Sequence, residues 1–389
     1  MSETGKHRLN LMIVAGEPSG DAHAAALVRA LRDSAPEVRL EAFGATGPLL
    51  RAAGVESIVN SDDLSILGLV EIGRALPKFW RAFRALKRAA LERKPDAVIL
   101  VDWPDFNLRL ARSLHSRGLK VIYYISPQLW AWRSYRASTI QRDVDLMLAI
   151  LPFEPAWYAR RGIAHVEFVG HPLAGEVHAR YSREEFCRFN KLDGARPIIS
   201  LLPGSRRKEL DRILPPMLDA AALISSERPD VQFVLVVAPS RPIKEAKDIL
   251  STWSGTLPVL RITQHETREA LLASDAAAVA SGTVTLEAAL LGTPMVVVYK
   301  ESAINWNILG RLITIDHYGL VNLVAGKRIV TELMQSELNG KRLASELIAL
   351  LDNRRNEEVR GHLHEVAEQL GEGGAARRAA EAVLRTVQS

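Results

Sequence analysis

A single cysteine, Cys187, stands in 389 residues. That excludes an intrachain disulfide framework, fits a reducing cytosol, and leaves a lone thiol expected to be inert. No apolar run approaches the ~20 residues of a bilayer-spanning helix. The opening MSETGKHRLNLMIVAGEPSGD offers only LMIVA before a glycine-bearing turn, so no secretory leader is expected. The chain should be soluble, or attached to a membrane only at its surface. Neither H-E-x-x-H nor a cysteine cluster occurs, and His171 and His317 stand alone, so no metal is expected. Each histidine reads as structural or substrate-touching. G-x-G-x-x-G is missing too, and with it the dinucleotide fingerprint. No recognised nucleic-acid motif accompanies the formal charge of +5. An anionic membrane or a phosphorylated substrate is the better partner for it than nucleic acid.

What is present is ordinary globular composition, 48% apolar and 24% charged, at a length that favours two domains. Apolar runs at 8–16, 38–45, 95–105, 119–127 and 145–151 alternate with helical stretches such as FNLRLARSLHSRG. The alternation restarts at 197–205, 231–240, 257–262, 275–283 and 293–300. Strands alternating with helices at this spacing predict parallel sheets covered on both faces. The expected architecture is α/β: two Rossmann-like domains, 1–174 and 175–355, with a cleft between them. The helical segment 356–389 is expected to pack back on the first domain. Ligands of such sheets sit beyond the carboxyl ends of the strands.

Four stretches fall at those ends. AGEPSGD (15–21) follows the first strand; Gly16 and Gly20 permit a tight turn, while Glu17, Ser19 and Asp21 either cap the next helix or meet a substrate. In VDWPDFN (101–107), Asp105 suits a helix cap and Asp102 a general base, its pKa raised by Trp103 and Phe106. SPQLWAWR (126–133) supplies Trp130 and Arg133, core side chains or the lining of a sugar pocket. LLPGSRRKEL and SGTVTLEAALLGTP form a pair in the second half. Ser205 and Arg206, with Gly282 and Thr283 ahead of a helix, suit phosphate, and Glu287 suits ribose hydroxyls.

From 62 to 90 the chain carries Leu67, Leu69, Ile72, Leu76, Phe79 and Trp80 at helical spacing, with Arg74, Lys78, Arg81, Arg84, Lys87 and Arg88 among them. Glu71 is the only acid from 69 to 91. The pattern suits an ordinary surface helix or an interfacial membrane contact, and the apolar residues upstream favour the contact.

In their order, AGEPSGD, VDWPDFNLRLA, SPQLWAWR, DLMLAILPFEPAWY, FVGHPLA, LLPGSRRKEL, ASGTVTLEAALLGTPMVVVYK and NLVAG closely resemble the lipid A disaccharide synthase family, from residue 15 to about 326. The resemblance implies an inverting GT-B glycosyltransferase that needs no metal or other cofactor. It joins UDP-2,3-diacylglucosamine to 2,3-diacylglucosamine 1-phosphate at the inner face of the cytoplasmic membrane, releasing UDP and a β-1,6-linked disaccharide 1-phosphate. It implies Asp102 as base, Arg206 at the donor diphosphate, Glu287 in the nucleotide-binding helix, and Asn322 at the substrate. Val321 stands where the family has proline. Acyl length and homodimerisation are left open. The rival readings are a UDP-N-acetylglucosamine 2-epimerase and a non-catalytic, membrane-associated UDP-sugar-binding module.

Overall fold

Strand β1 (Arg8–Ala15) ends in five fully buried residues, Leu11 to Ala15, as a strand covered on both faces requires. The computed structural model describes residues 8–64, 72–256, 259–302, 306 and 315–388. After β1 the chain forms α1 (Pro18–Ser34), β2 (Arg39–Thr46), α2 (Pro48–Ala52), β3 (Glu56–Asn60) and α3 (Ile72–Arg93). It continues through β4 (Ala97–Val101), α4 (Pro104–His115), β5 (Val121–Tyr124), α5 (Ala137–Asp143), β6 (Leu146–Ala149), α6 (Glu154–Ala159) and β7 (Val166–Phe168). The seven strands are parallel in the order β3-β2-β1-β4-β5-β6-β7. The order reverses between β1 and β4, where Ala15 pairs with Val101.

A second series follows: α7 (Arg183–Asn190), β8 (Ile198–Leu202), α8 (Arg207–Glu227), β9 (Gln232–Val237), α9 (Ile243–Thr252), β10 (Leu260–Gln264) and α10 (Thr267–Leu272). Then come β11 (Ala276–Ala280), α11 (Val284–Leu290), β12 (Met295–Tyr299), α12 (Leu320–Ala325), β13 (Glu332–Met334), α13 (Gly340–Leu350) and α14 (Asn353–Leu370). Its parallel sheet runs β10-β9-β8-β11-β12-β13, reversing between β8 and β11, where Leu202 pairs with Val279. Two Rossmann-like parallel α/β units thus stand in one chain, as the alternating pattern predicts. Strands β3, β7 and β13 went unread: ESIVN, VEF and ELM are sheet edges of three to five residues, too short to show a buried run.

The units divide as Met1–Pro172 with Gly373–Ser389, and Leu173–Glu372. This corrects the placement of 356–389 as one block on the first domain. Helix α14 belongs to the second unit. It buries Val359, Leu363, Val366 and Leu370 there, and Arg360 Nη1 donates to the Gly292 carbonyl at 2.6 Å. After Gly371, Gly373 and Gly374, all at positive φ, the final helix α15 (Ala375–Gln388) lies against α1 with Ala379, Ala380 and Val383 in the first unit's core.

Candidate active site

In the first unit the reversal of strand order brings two acids to one place. Glu17 ends the turn after β1 as the N-cap of α1, and Asp102 follows β4 directly. Asp102 and Trp103 both adopt left-handed backbone conformations, φ 48° and 50°, uncommon for non-glycine residues. The turn is held by its own carbonyl: the Asp102 oxygen accepts from Tyr123 Oη at 2.6 Å and from Asn107 Nδ2 at 2.8 Å. Burial pushes the Asp102 carboxyl up to about 6, the negative charge of Glu17 adds to that, and a hydrogen bond from the Trp103 amide opposes it. A carboxylate so poised is a proton acceptor near neutral pH.

Trp103 stacks on Phe106, ring centres 4.1 Å apart, and approaches Phe79 of α3 at 5.9 Å. The array continues through Phe83 to Trp80. Gly16 makes the Trp103 position attainable, because a Cβ there would lie 2.0 Å from the indole. Along α3, Ala82, Leu86, Ala89 and Ala90 are buried as on an ordinary surface helix, while Trp80 remains 59% exposed and Phe79 half-buried. Leu67 and Leu69, and the side chains of Ile72 and Leu76, lie outside the described residues.

Several side chains expected at a ligand have other work. Asp21 caps α2 rather than α1: its carboxylate accepts from the amides of Gly47 (2.8 Å), Leu49 (2.8 Å) and Leu50 (3.1 Å). Asp105 does not cap α4; it accepts from Arg133 and Arg136. Trp130 is core, its Nε1 donating to Glu154 at 3.2 Å. Burial pushes the Glu154 carboxyl up to about 7 even though the amides of Ile150 and Leu151 bind it. Trp132 and Arg133 are the half-exposed members of that loop, stacked at 4.0 Å. Glu17 and Ser19 are exposed. His171 is buried, and desolvation together with neighbouring His23 pushes it down to about 4, so it stands neutral.

In the second unit a cavity of about 400 Å³ opens at the other reversal point, lined by Gly204, Ser205, Arg206, Gly282, Thr283 and Glu287 among others. The cavity brings together Ser205, Arg206, Gly282, Thr283 and Glu287, the five residues expected at the phosphates and ribose. Gly204 carries φ +110°, and a Cβ on it would collide with Glu209. Glu209, which sequence reasoning passed over, occupies the anion position: its Oε2 accepts from the amides of Ser205 (2.9 Å) and Arg206 (3.1 Å), and Oε1 from Arg206 Nη1 (3.3 Å). Arg268 is also new. Its Nε and Nη2 both reach Glu287 Oε1 at 3.3 Å, leaving Oε2 without a protein donor among the described residues. A basic residue opening α10 was the only signal in the sequence.

Asn322 departs from expectation. It is fully buried, donating to the Val330 carbonyl and Glu332 and accepting from the amides of Ile329 and Val330. All its bonding capacity is spent on the loop before β13 and on Glu332, the first residue of that strand, and Val321 beside it is buried as the second residue of α12.

Two parallel α/β units, each reversing its strand order where the candidate residues lie, define the GT-B class of fold. Solved structures of that fold match nearly end to end. One is the putative UDP-N-acetylglucosamine 2-epimerase of Listeria monocytogenes, at TM-score 0.65 and 17% identity, covering 98% of this chain and 97% of that one. Another is the calicheamicin glycosyltransferase CalG4, at TM-score 0.56 and 17% identity, covering 99% of each. The protein-family model described as Lipid-A-disaccharide synthetase matches residues 11–386. The Lipid-A-disaccharide synthase of Geobacter sulfurreducens is 43% identical over 386 residues, covering 99% of this chain and 98% of its own. That of Anaeromyxobacter dehalogenans is 46% identical over 375 residues, 96% of each. The chain belongs to the lipid A disaccharide synthase family, glycosyltransferases that form the lipid A disaccharide. That membership decides against the epimerase and binding-module readings.

Proposed function

We propose that the transfer is a single inverting displacement without a metal, from UDP-2,3-diacylglucosamine to 2,3-diacylglucosamine 1-phosphate. The acceptor 6-hydroxyl oxygen forms the bond to the anomeric carbon as the bond from that carbon to the UDP β-phosphate oxygen breaks. The hydroxyl proton passes to Asp102, and the electron pair leaves with UDP. Its main support is the position of Asp102, held by its backbone at the switch point with its carboxyl raised to about 6. On the leaving side Arg206 and the Ser205 and Arg206 amides supply positive charge to the departing diphosphate. Glu287 takes the ribose hydroxyls through the oxygen Arg268 leaves open. Glu17 assists by keeping the Asp102 proton affinity high.

The same reading gives α3 a role at the inner face of the cytoplasmic membrane. Trp80 is exposed among exposed Lys78, Arg81, Arg84 and Arg88, and the aromatic array joins it to Trp103 beside the base. Acyl chains would then remain in the bilayer while the sugars react. Among the described residues no helix is long and apolar enough to cross a membrane.

Purified enzyme in detergent, given both lipid substrates and excess EDTA, should yield disaccharide and UDP by mass spectrometry. Asp102→Asn should bind UDP and yield neither. Loss of wild-type product in EDTA, restored by a divalent cation, would refute the metal-free displacement. A retained anomeric configuration would refute inversion.

A further inference from the structure

Two guanidiniums meet one exposed carboxylate a single helical turn beyond Asp102. Arg133 Nη1 lies 3.1 Å and Arg136 Nη2 2.6 Å from Asp105 Oδ1. Asp105 Oδ2 takes no donor among the described residues. The cluster therefore carries two positive charges against one negative, with N–H donors of both arginines unspent.

The pair is also held in advance. Arg133 sits over the Trp132 ring, its guanidinium carbon 4.0 Å from the ring centre, and has a left-handed backbone, φ 56°, disfavoured for a residue with a side chain. Arg136 keeps only 21% of its side chain exposed, whereas Asp105 keeps 64%. The cations are thus fixed by the fold, and the anion between them faces water. Asp102, Asp105 and Arg136 all lie within electrostatic reach of Tyr123, whose hydroxyl binds the Asp102 carbonyl. An anionic group of the molecule that Asp102 deprotonates would meet this pair. Planar guanidinium forks match carboxylate and phosphate oxygens alike, and the acceptor of the proposed reaction carries a phosphate.

We propose that Arg133 and Arg136 receive the phosphate monoester of the acceptor, and that Asp105 is the built-in anion which the phosphate displaces. The assignment rests on Asp102 marking the acceptor side. It makes the pair specificity-determining: acceptors bearing the phosphate are selected over the same sugar without it.

The test is steady-state kinetics in mixed micelles with the full chain. Arg136→Gln and Arg133→Gln should each raise the acceptor KM about tenfold or more, leave the UDP-sugar KM unmoved, and narrow the preference over dephosphorylated acceptor. Asp105→Asn should act in the opposite direction. It lowers the acceptor KM a few-fold and makes inorganic phosphate a stronger competitor against acceptor. A merely structural cluster predicts the reverse for Asp105→Asn, since losing its bonds would loosen the loop and raise both KM values; that result overturns the proposal. Unchanged acceptor KM in both arginine variants overturns it as well. If Asp102→Asn turns over normally, the acceptor-side reading falls and takes this subsite with it. If that variant is dead while the arginine variants behave as wild type, only the subsite falls.

Discussion

Replacing Asp102 by Asn should stabilise the first unit while abolishing transfer. The folded structure holds the Asp102 carboxyl at about 6, against an ordinary value of 3.8. At 1.36 kcal/mol per pKa unit, keeping it ionised costs the folded state about 2–3 kcal/mol. The folded pKa is the higher one, so the folded protein holds the proton more tightly than the unfolded chain. The penalty is therefore absent below about pH 4, grows between about 4 and 6, and is complete above 6. Asn removes the charge and keeps an oxygen acceptor for the Trp103 amide. At pH 7.5 the first-unit transition of the variant should lie about 5–10 °C above wild type, for a unit of this size. At pH 4 the two should coincide. Transfer should fall by roughly 10²–10⁴, the usual worth of a positioned general base. Wild-type kcat/KM should fall on the acid side through a single proton near pH 6. Calorimetry across that pH range on both proteins, with the rate profile beside it, is the assay. A variant no more stable at pH 7.5, or an acid limb near 4, would refute the reasoning.

Glu209→Gln removes the charge that occupies the Ser205 and Arg206 amides, so UDP should bind about three- to tenfold tighter by titration calorimetry, on the scale of one charge-assisted hydrogen bond; weaker binding would make Glu209 a scaffold instead. Asn322→Ala strands two amides and takes one donor from the Glu332 carboxylate, and should destabilise the second unit by about 2–4 kcal/mol in urea, with the KM values of the surviving enzyme little changed. Gly16→Ala forces the Trp103 indole out of place; kcat should drop at least about tenfold while UDP binding, a property of the other unit, stays as it was. Trp80→Ala should weaken sedimentation with anionic vesicles and leave turnover in detergent near wild type.

The parts legible in the sequence were those written in contiguous residues. LMIVA, AVILV and VLVV announce central strands because a strand buried on both faces is apolar throughout. Asp102 and the Gly-Ser-Arg turn could be placed at the carboxyl ends of strands because both come just after such runs. What could not be read was the partnership of each polar side chain. Asp21 is claimed by amides 26 residues away, Trp130 by a glutamate 24 away, and Asn322 by a carboxylate from the next strand. A carboxylate that meets substrate and one that closes a loop look alike until the chain is folded. The split of the C-terminal segment has a similar cause: both its helices are amphipathic, and only packing tells which core each completes.

That split bears on synthesis. Ala379, Ala380, Ala382 and Val383 fill the core of the first unit, yet the ribosome delivers them only after all of Leu173–Glu372. While the second unit emerges and folds, the face of α1 that these alanines cover stays open. The unit carrying the proposed base is then the last to close, although most of it is made first. A nascent chain stalled late in the second unit would already hold the Gly-Ser-Arg turn while the first unit still lacked α15. It would therefore be open to a chaperone on the unit that carries the proposed base.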